Sequence, residues 1–126
     1  MSKKEISTRN APSPVGPYSQ GIVANGFLYT AGFGPQDPNT GAMADGVEEQ
    51  TRQVLRNIRS VLEAHGASMD DVVKSTVHLQ HLDRDFAAFN GAYREFFAAP
   101  YPVRTTVGST LAGILVEIDV VVALRP

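Results

Sequence analysis

Two kinds of apolar periodicity alternate along the chain, and their order gives the first expectation of the fold. Residues 21–24 and 27–31 are short apolar runs flanking Asn25-Gly26. Asn-Gly between such runs predicts a tight hairpin, because both turn positions need positive φ. Val47, Thr51, Val54, Leu55, Ile58, Val61 and Leu62 then recur at spacings of three and four. They place one apolar stripe on a helix that runs to about His65, with Gly66 closing it. Asp45, with Glu48 three residues on, fits a capping box at its start. The period returns to two over residues 71–82, with Val73, Ser75, Val77 and Leu79 on one face and Lys74, Thr76, His78 and Gln80 on the other. Phe86, Phe89, Tyr93, Phe96 and Phe97 define a second helical stripe beginning near Asp83 or Asp85, and Pro100 and Pro102 end it.

The last stretch, residues 102–122, alternates again. Val103, Thr105 and Val107 are interleaved with Arg104, Thr106 and Gly108; Val116, Ile118, Val120 and Val122 are interleaved with Glu117 and Asp119. If residues 109–112 form a hairpin loop, Gly108 faces Gly113 and Arg104 faces Glu117, with Thr106 beside them. A guanidinium holds a planar carboxylate by two parallel hydrogen bonds, and a glutamate can orient or deprotonate a water. The plainer reading is a cross-strand ion pair worth about 0.2–1 kcal/mol.

The expected order is strand, strand, helix, strand, helix, strand, strand. Short connections lay both helices on one face of a sheet, the arrangement of an α+β domain covering residues 1–126. The final strand stays apolar at Val121 and Ala123 on its other face, and a sheet apolar on both faces is covered on both. No third helix is available, so self-association is the economical cover.

Composition narrows the function classes. The chain has 126 residues, 43% hydrophobic and 19% charged, with a formal charge of −2. These values describe an ordinary globular protein and give no reason to expect nucleic acid or an anionic membrane as partner. With no cysteine, thiol nucleophiles, thiolate metal sites and disulfides are excluded. The start carries no apolar run of a signal peptide, and no apolar stretch is long enough to span a bilayer, so a cytoplasmic protein is expected. His78 and His81 fall on opposite faces of a strand and His65 at a helix end, so no metal site is expected.

Three further positions invite chemistry. Tyr18 follows Pro12, Pro14, Gly16 and Pro17, so a loop places it; its alternative is an aromatic packed on the core. Gly32-Phe33-Gly34 ends the second strand, where glycine lets a ligand or backbone approach closely. Asn90 falls within the arc of the second helix's aromatic stripe, where it either ties the helix to a backbone carbonyl or faces a ligand.

Gly16-Pro17-Tyr18-Ser19-Gln20, Thr30-Ala31-Gly32, Asn90 with Tyr93 and Phe96-Phe97, the Pro102–Val107 segment containing Arg104-Thr105-Thr106, and Val116-Glu117-Ile118 together resemble the RidA (YjgF) family, nearly end to end. The resemblance implies a chorismate-mutase-like α+β subunit in a homotrimer, with sheets forming a central barrel and sites between subunits. It implies hydrolysis of 2-imino and enamine acids, such as 2-aminoacrylate, to 2-keto acids and ammonia, without metal or organic cofactor. Arg104 would clamp the substrate carboxylate, with backbone N–H groups of Gly32 and Thr106 on the same carboxylate. Glu117 would place the attacking water, and Tyr18 and Asn90 would complete the cleft. Ala31 stands where deaminases of the family commonly carry serine, and Phe33 would narrow or cap the pocket. Two alternatives follow: a hydrolase for a pathway-specific imine, or a trimeric protein that binds small carboxylates without turning them over.

Overall fold

The computed structural model describes residues 2–126. It begins with a strand inside the breaker-rich segment, which the sequence predicts to be extended or looped. Lys4–Ile6 (β1) pairs antiparallel with Gly21–Ala24 (β2). The buried amide of Gln20 brings them together. Its carbonyl accepts from the Thr8 N–H at 2.7 Å, and its NH2 donates to the carbonyls of Thr8, Ala11 and Pro12. One side chain thus satisfies a proline-rich segment that cannot form a ladder of its own.

The Asn25-Gly26 turn forms as expected, with φ of 54° and 82°, and folds β2 onto Phe27–Thr30 (β3). Helix α1 spans Val47–Ala64, and every residue of its sequence-predicted stripe is buried. Gly66 follows it at φ 78°. The expected Asp45 cap is absent: Gly46 is the N-cap in extended backbone and no side chain caps the helix. A carboxylate cap occurs instead at the short 3₁₀ turn Met69–Asp71, where the Ser68 N–H donates to Asp71 Oδ2 at 3.0 Å.

Strand β4 (Val72–Leu79) follows. Its register slips between Val72 and Lys74, which puts Val72 in the core and leaves Val73 exposed, against the simple alternation. A bulge inserts one residue and reverses face parity before it. Helix α2 (Leu82–Arg94) buries Phe89 and Tyr93, and Phe97 beyond it is also buried, whereas Phe86 is 42% exposed. Strands β5 (Val103–Gly108) and β6 (Val116–Ala123) complete a six-stranded sheet of order β1-β2-β3-β6-β4-β5.

The expected β5–β6 hairpin does not exist, because β4 lies between them. β4 pairs parallel with β5 and antiparallel with β6. A strand, helix and parallel strand form the crossover unit favoured for a twisted chain, and the β5–β6 connection then passes over the end of β4. Gln80 clamps that connection: its backbone N–H donates to the Leu115 carbonyl, and its side-chain carbonyl accepts from the Leu111 N–H at 2.6 Å.

Both helices pack on the sheet face formed by Leu28, Val77, Leu79, Val116, Ile118, Val120 and Val122, all buried. The fold is therefore α+β, a mixed sheet with two helices on one face. The opposite face carries no helix and leaves Phe27, Tyr29, Val103 and Val107 exposed. Among the described residues, no helix is long and apolar enough to cross a membrane.

Candidate active site

The topology separates the residues that a hairpin would have joined. Arg104 pairs with Ser75 and Glu117 with His78, positions of opposite parity on β4, so their side chains leave opposite faces of the sheet. Two strand spacings of about 4.8 Å and three residues of about 3.3 Å put their backbones roughly 14 Å apart. The expected Arg104–Glu117 cross-strand pair is not formed within one chain. Each residue instead belongs to its own cluster.

The first cluster lies between α2 and β5. Arg104 projects to the helix face, where its guanidinium carbon stands 4.8 Å from the ring centre of Tyr93, 5.2 Å from Phe89 and 5.9 Å from Phe86. Such stacking holds a planar cation without neutralising it. The Tyr93 hydroxyl meets Ser75 Oγ at 2.7 Å, which fixes the ring under the guanidinium. Burial raises the Tyr93 hydroxyl pKa, against the opposing effects of the Ser75 bond and the Arg104 charge. Among the described residues Arg104 has no ion-pair partner. It opens into a cavity of about 470 Å³ lined also by Asn90, Tyr93, Arg94, Tyr101 and Pro102. Among the described residues the Asn90 amide donates to no backbone carbonyl, and Asn90 lines this space.

Strand β5 is the sheet's edge. The Ser109 N–H donates to Leu79 of β4, and N–H directions alternate along a strand, so the N–H of Thr106 points to the free edge. The Thr106 side chain shares the helix-side face with Arg104. An unpaired edge N–H beside an unpaired guanidinium is a donor set for an anion.

The second cluster lies at the end of β3. A Cβ built on Gly32 would meet Glu117 Oε2 at 2.8 Å and Cδ at 2.9 Å, so the carboxylate occupies the space that the glycine leaves. Ala31 and Tyr18 line an adjoining hollow of about 360 Å³ with Lys3, Ser19 and Thr30. The Ala31 N–H donates to the Gln20 carbonyl at 2.9 Å. The Tyr18 hydroxyl accepts from the Val15 N–H at 3.2 Å, and its ring is half exposed rather than packed in the core. Phe33 departs from expectation. It bridges Ile118 through two backbone hydrogen bonds, and its side chain is 5% exposed within the core, so it anchors the loop and does not cap a pocket.

On the same open face, His78 Nδ1 lies 2.7 Å from Ser109 Oγ. Burial raises the Asp119 carboxyl pKa, partly offset by the charges of His78 and Lys74. Sequence reasoning missed Tyr101 and Arg94 as cavity walls. The signals for them were present: Tyr101 stands between Pro100 and Pro102, and Arg94 lies one helical turn beyond Asn90.

Comparison with known proteins gives the same outline. A family model described as Endoribonuclease L-PSP matches residues 8–124. A RutC family protein of Pyrococcus horikoshii is 46% identical over 94% of this chain and 96% of its own. A 2-iminobutanoate/2-iminopropanoate deaminase of Salmonella typhimurium is 43% identical over 82% of this chain and 83% of its own. The crystal structure of RidA from an Antarctic Psychrobacter superposes with a TM-score of 0.91 at 35% identity, covering 96% of this chain and 99% of that one. The order of motifs, the sheet topology and these matches agree, and the chain belongs to the RidA (YjgF/RutC) family.

Proposed function

We propose that this protein hydrolyses 2-imino acids, and the enamines that tautomerise to them, to 2-keto acids and ammonia. The site lies between subunits of a cytoplasmic homotrimer. The observation that carries this reading is the split arrangement: an unpaired, aromatic-cradled Arg104 on one sheet face and the Glu117 carboxylate over Gly32 on the other. Neither half is sufficient for the reaction alone. A neighbouring subunit that covers the exposed apolar face can bring Glu117 of one chain to Arg104 of the next. An isologous pair leaves edges open, whereas a head-to-tail contact that closes into a ring supplies such a site at every interface. The deaminase name of the Salmonella relative supports the chemistry.

Arg104 binds the substrate carboxylate bidentately, aided by backbone N–H groups of Thr106 and Gly32. This fixes the iminium carbon, already electrophilic, next to a water held by Glu117. The water adds to the C=N carbon as Glu117 accepts its proton. The resulting carbinolamine takes that proton on nitrogen and expels ammonia as its hydroxyl gives its proton back to Glu117, which passes it to the ammonia, leaving the keto acid and ammonium. An enamine enters the same route after protonation at its β carbon. Orientation and one placed water supply the acceleration. Tyr18 and Asn90 wall the cleft and restrict the side chain.

A second reading rests on Ala31, which offers no hydroxyl to the leaving amine: a carboxylate-binding protein on the same scaffold. The test is keto-acid release from imino acids generated in situ by an amino-acid oxidase, with Arg104→Ala and Glu117→Gln as controls. Deamination predicts acceleration by the wild type that both substitutions abolish. Carboxylate binding that needs Arg104, without acceleration, overturns the enzyme reading in favour of the second.

A further inference from the structure

The cavity beside Arg104 is lined by a second arginine whose role the reaction above leaves open. Arg94 lines the same space as Arg104, and among the described residues no aspartate or glutamate lines it. Four other arginines pair with acidic groups; among the described residues Arg9 and Arg59 also have no such pair, but neither lines this cavity. Arg52 pairs with Glu49 and Glu95, Arg56 with Glu49, Arg84 with Asp85, and Arg125 with Asp71. Among the described residues Arg94 has no such pair, although Glu95 is its chain neighbour; Glu95 instead turns to Arg52, accepting from its Nη2 at 2.9 Å.

Asn90 and Arg94 are four residues apart on α2 and therefore stack on one helix face. With Arg104 at the base on β5, Asn90 and the solvent-exposed Arg94 line the same cavity. One carboxylate needs one guanidinium fork, and the cradle of three aromatic rings already holds Arg104 for it. A second fork in a space of about 470 Å³, with no acid to neutralise it, matches a second anionic group on the same small molecule. A cation at the C-terminal end of α2 is also favourable to the helix dipole, but that role requires no cavity and no particular substrate.

Resting on the deaminase reading, we propose that Arg94 is a specificity residue that selects dicarboxylic 2-imino acids. Arg104 takes the carboxylate next to the reacting carbon, and Arg94 takes the one at the end of the side chain. Such substrates are the imines of four- and five-carbon 2-keto diacids, products of oxidation of acidic amino acids.

The experiment compares kcat/KM for 2-iminosuccinate and 2-iminopropanoate, generated in situ by D-aspartate and D-amino-acid oxidases. The wild type is expected to favour the diacid at least tenfold, and Arg94→Gln to lower that ratio at least tenfold, with Arg94→Lys recovering part of it. A ratio that moves less than twofold in Arg94→Gln overturns the proposal, whether both rates hold or both fall together. Calorimetric binding of 2-oxoglutarate and 2-oxobutanoate supplies a readout independent of turnover. Arg94→Gln is expected to weaken 2-oxoglutarate relative to 2-oxobutanoate by at least tenfold, and Arg104→Ala to weaken both. If no imine is hydrolysed while that binding pattern appears, the deaminase reading fails and the dianion site stands. If 2-iminopropanoate is hydrolysed with no diacid preference, the dianion site fails and the deaminase stands.

Discussion

The carboxylate of Glu117 fills the side-chain space of Gly32: a Cβ at that position would sit 2.8 Å from Oε2. No L residue fits without moving the carboxylate, although Gly32 lies at the surface and its backbone is not in the left-handed region. The glycine is therefore required by proximity and not by conformation.

Gly32→Ala is expected to lower kcat/KM about 10²-fold, the cost of displacing a water-positioning group by about 1 Å. Its thermal midpoint should stay near that of the wild type, because the added methyl meets a movable side chain. Binding of 2-oxobutanoate, which rests on Arg104, should be little changed, since the added methyl displaces the Glu117 carboxylate and not the guanidinium. Weakened binding would place Gly32 in a separate role.

Tyr93 and Ser75 form an isolated buried pair of hydroxyls at 2.7 Å. Tyr93→Phe leaves the Ser75 hydroxyl without its partner in the core and is expected to cost about 1–3 kcal/mol of stability. Adding Ser75→Ala should recover most of that loss, because removal of both groups leaves nothing unsatisfied. The phenylalanine keeps a ring under Arg104, so substrate KM should rise less than in Tyr93→Leu. Chemical denaturation and steady-state kinetics on the four proteins check both parts.

Much of this fold was legible in the sequence, and the illegible part has a common cause. The α1 stripe, the Asn25-Gly26 turn and the aromatic stripe of α2 are local patterns, set by neighbours three, four or two residues away. Strand partnership is not local. Alternation in β5 and β6 reports which side chains share a face within each strand, but not whether another strand intervenes. Inserting β4 between them moved Arg104 and Glu117 from one face to two. The bulge that exposes Val73 and the Gln20 clamp that creates β1 also depend on distant contacts. Phe33 was misjudged for the same reason: its place in the core follows from its bridge to Ile118, eighty-five residues away in sequence. The side chains of the two clusters could be singled out from the sequence, but their division between two sheet faces could not.

Asp71 anchors the turn before β4, accepting from the Ser68 N–H and from Arg125. Its carboxyl pKa is lowered below the ordinary 3.8, first by the Ser68 backbone bond and then by Arg125, against the opposing effect of burial. A depressed carboxyl pKa adds stability that is complete above the unfolded value and lost as pH falls through the folded one. Asp71→Asn is therefore expected to cost about 1 kcal/mol at neutral pH, with the gap from wild type closing as pH falls below the ordinary 3.8. Urea midpoints measured across the acid range check the sign; a gap that widens on acidification would contradict it.

The separation of Arg104 from Glu117 makes the composite site testable without a structure of the assembly. In a ring, each site draws Arg104 from one chain and Glu117 from the next. Assemblies made only of Arg104→Ala chains or only of Glu117→Gln chains should each be inactive. Refolded together in equal amounts, they form mixed rings in which an interface is intact only when a Glu117→Gln chain supplies the arginine and an Arg104→Ala chain the glutamate. Random mixing makes that about one interface in four, so about a quarter of wild-type activity should return. A double variant carrying both substitutions, refolded with wild type in equal amounts, should also give about a quarter, because only wild-type pairs are then intact. Were both residues to act within one chain, the first mixture would stay inactive and the second would keep about half. The two mixtures thus move in opposite directions under the two geometries, and activity alone separates them.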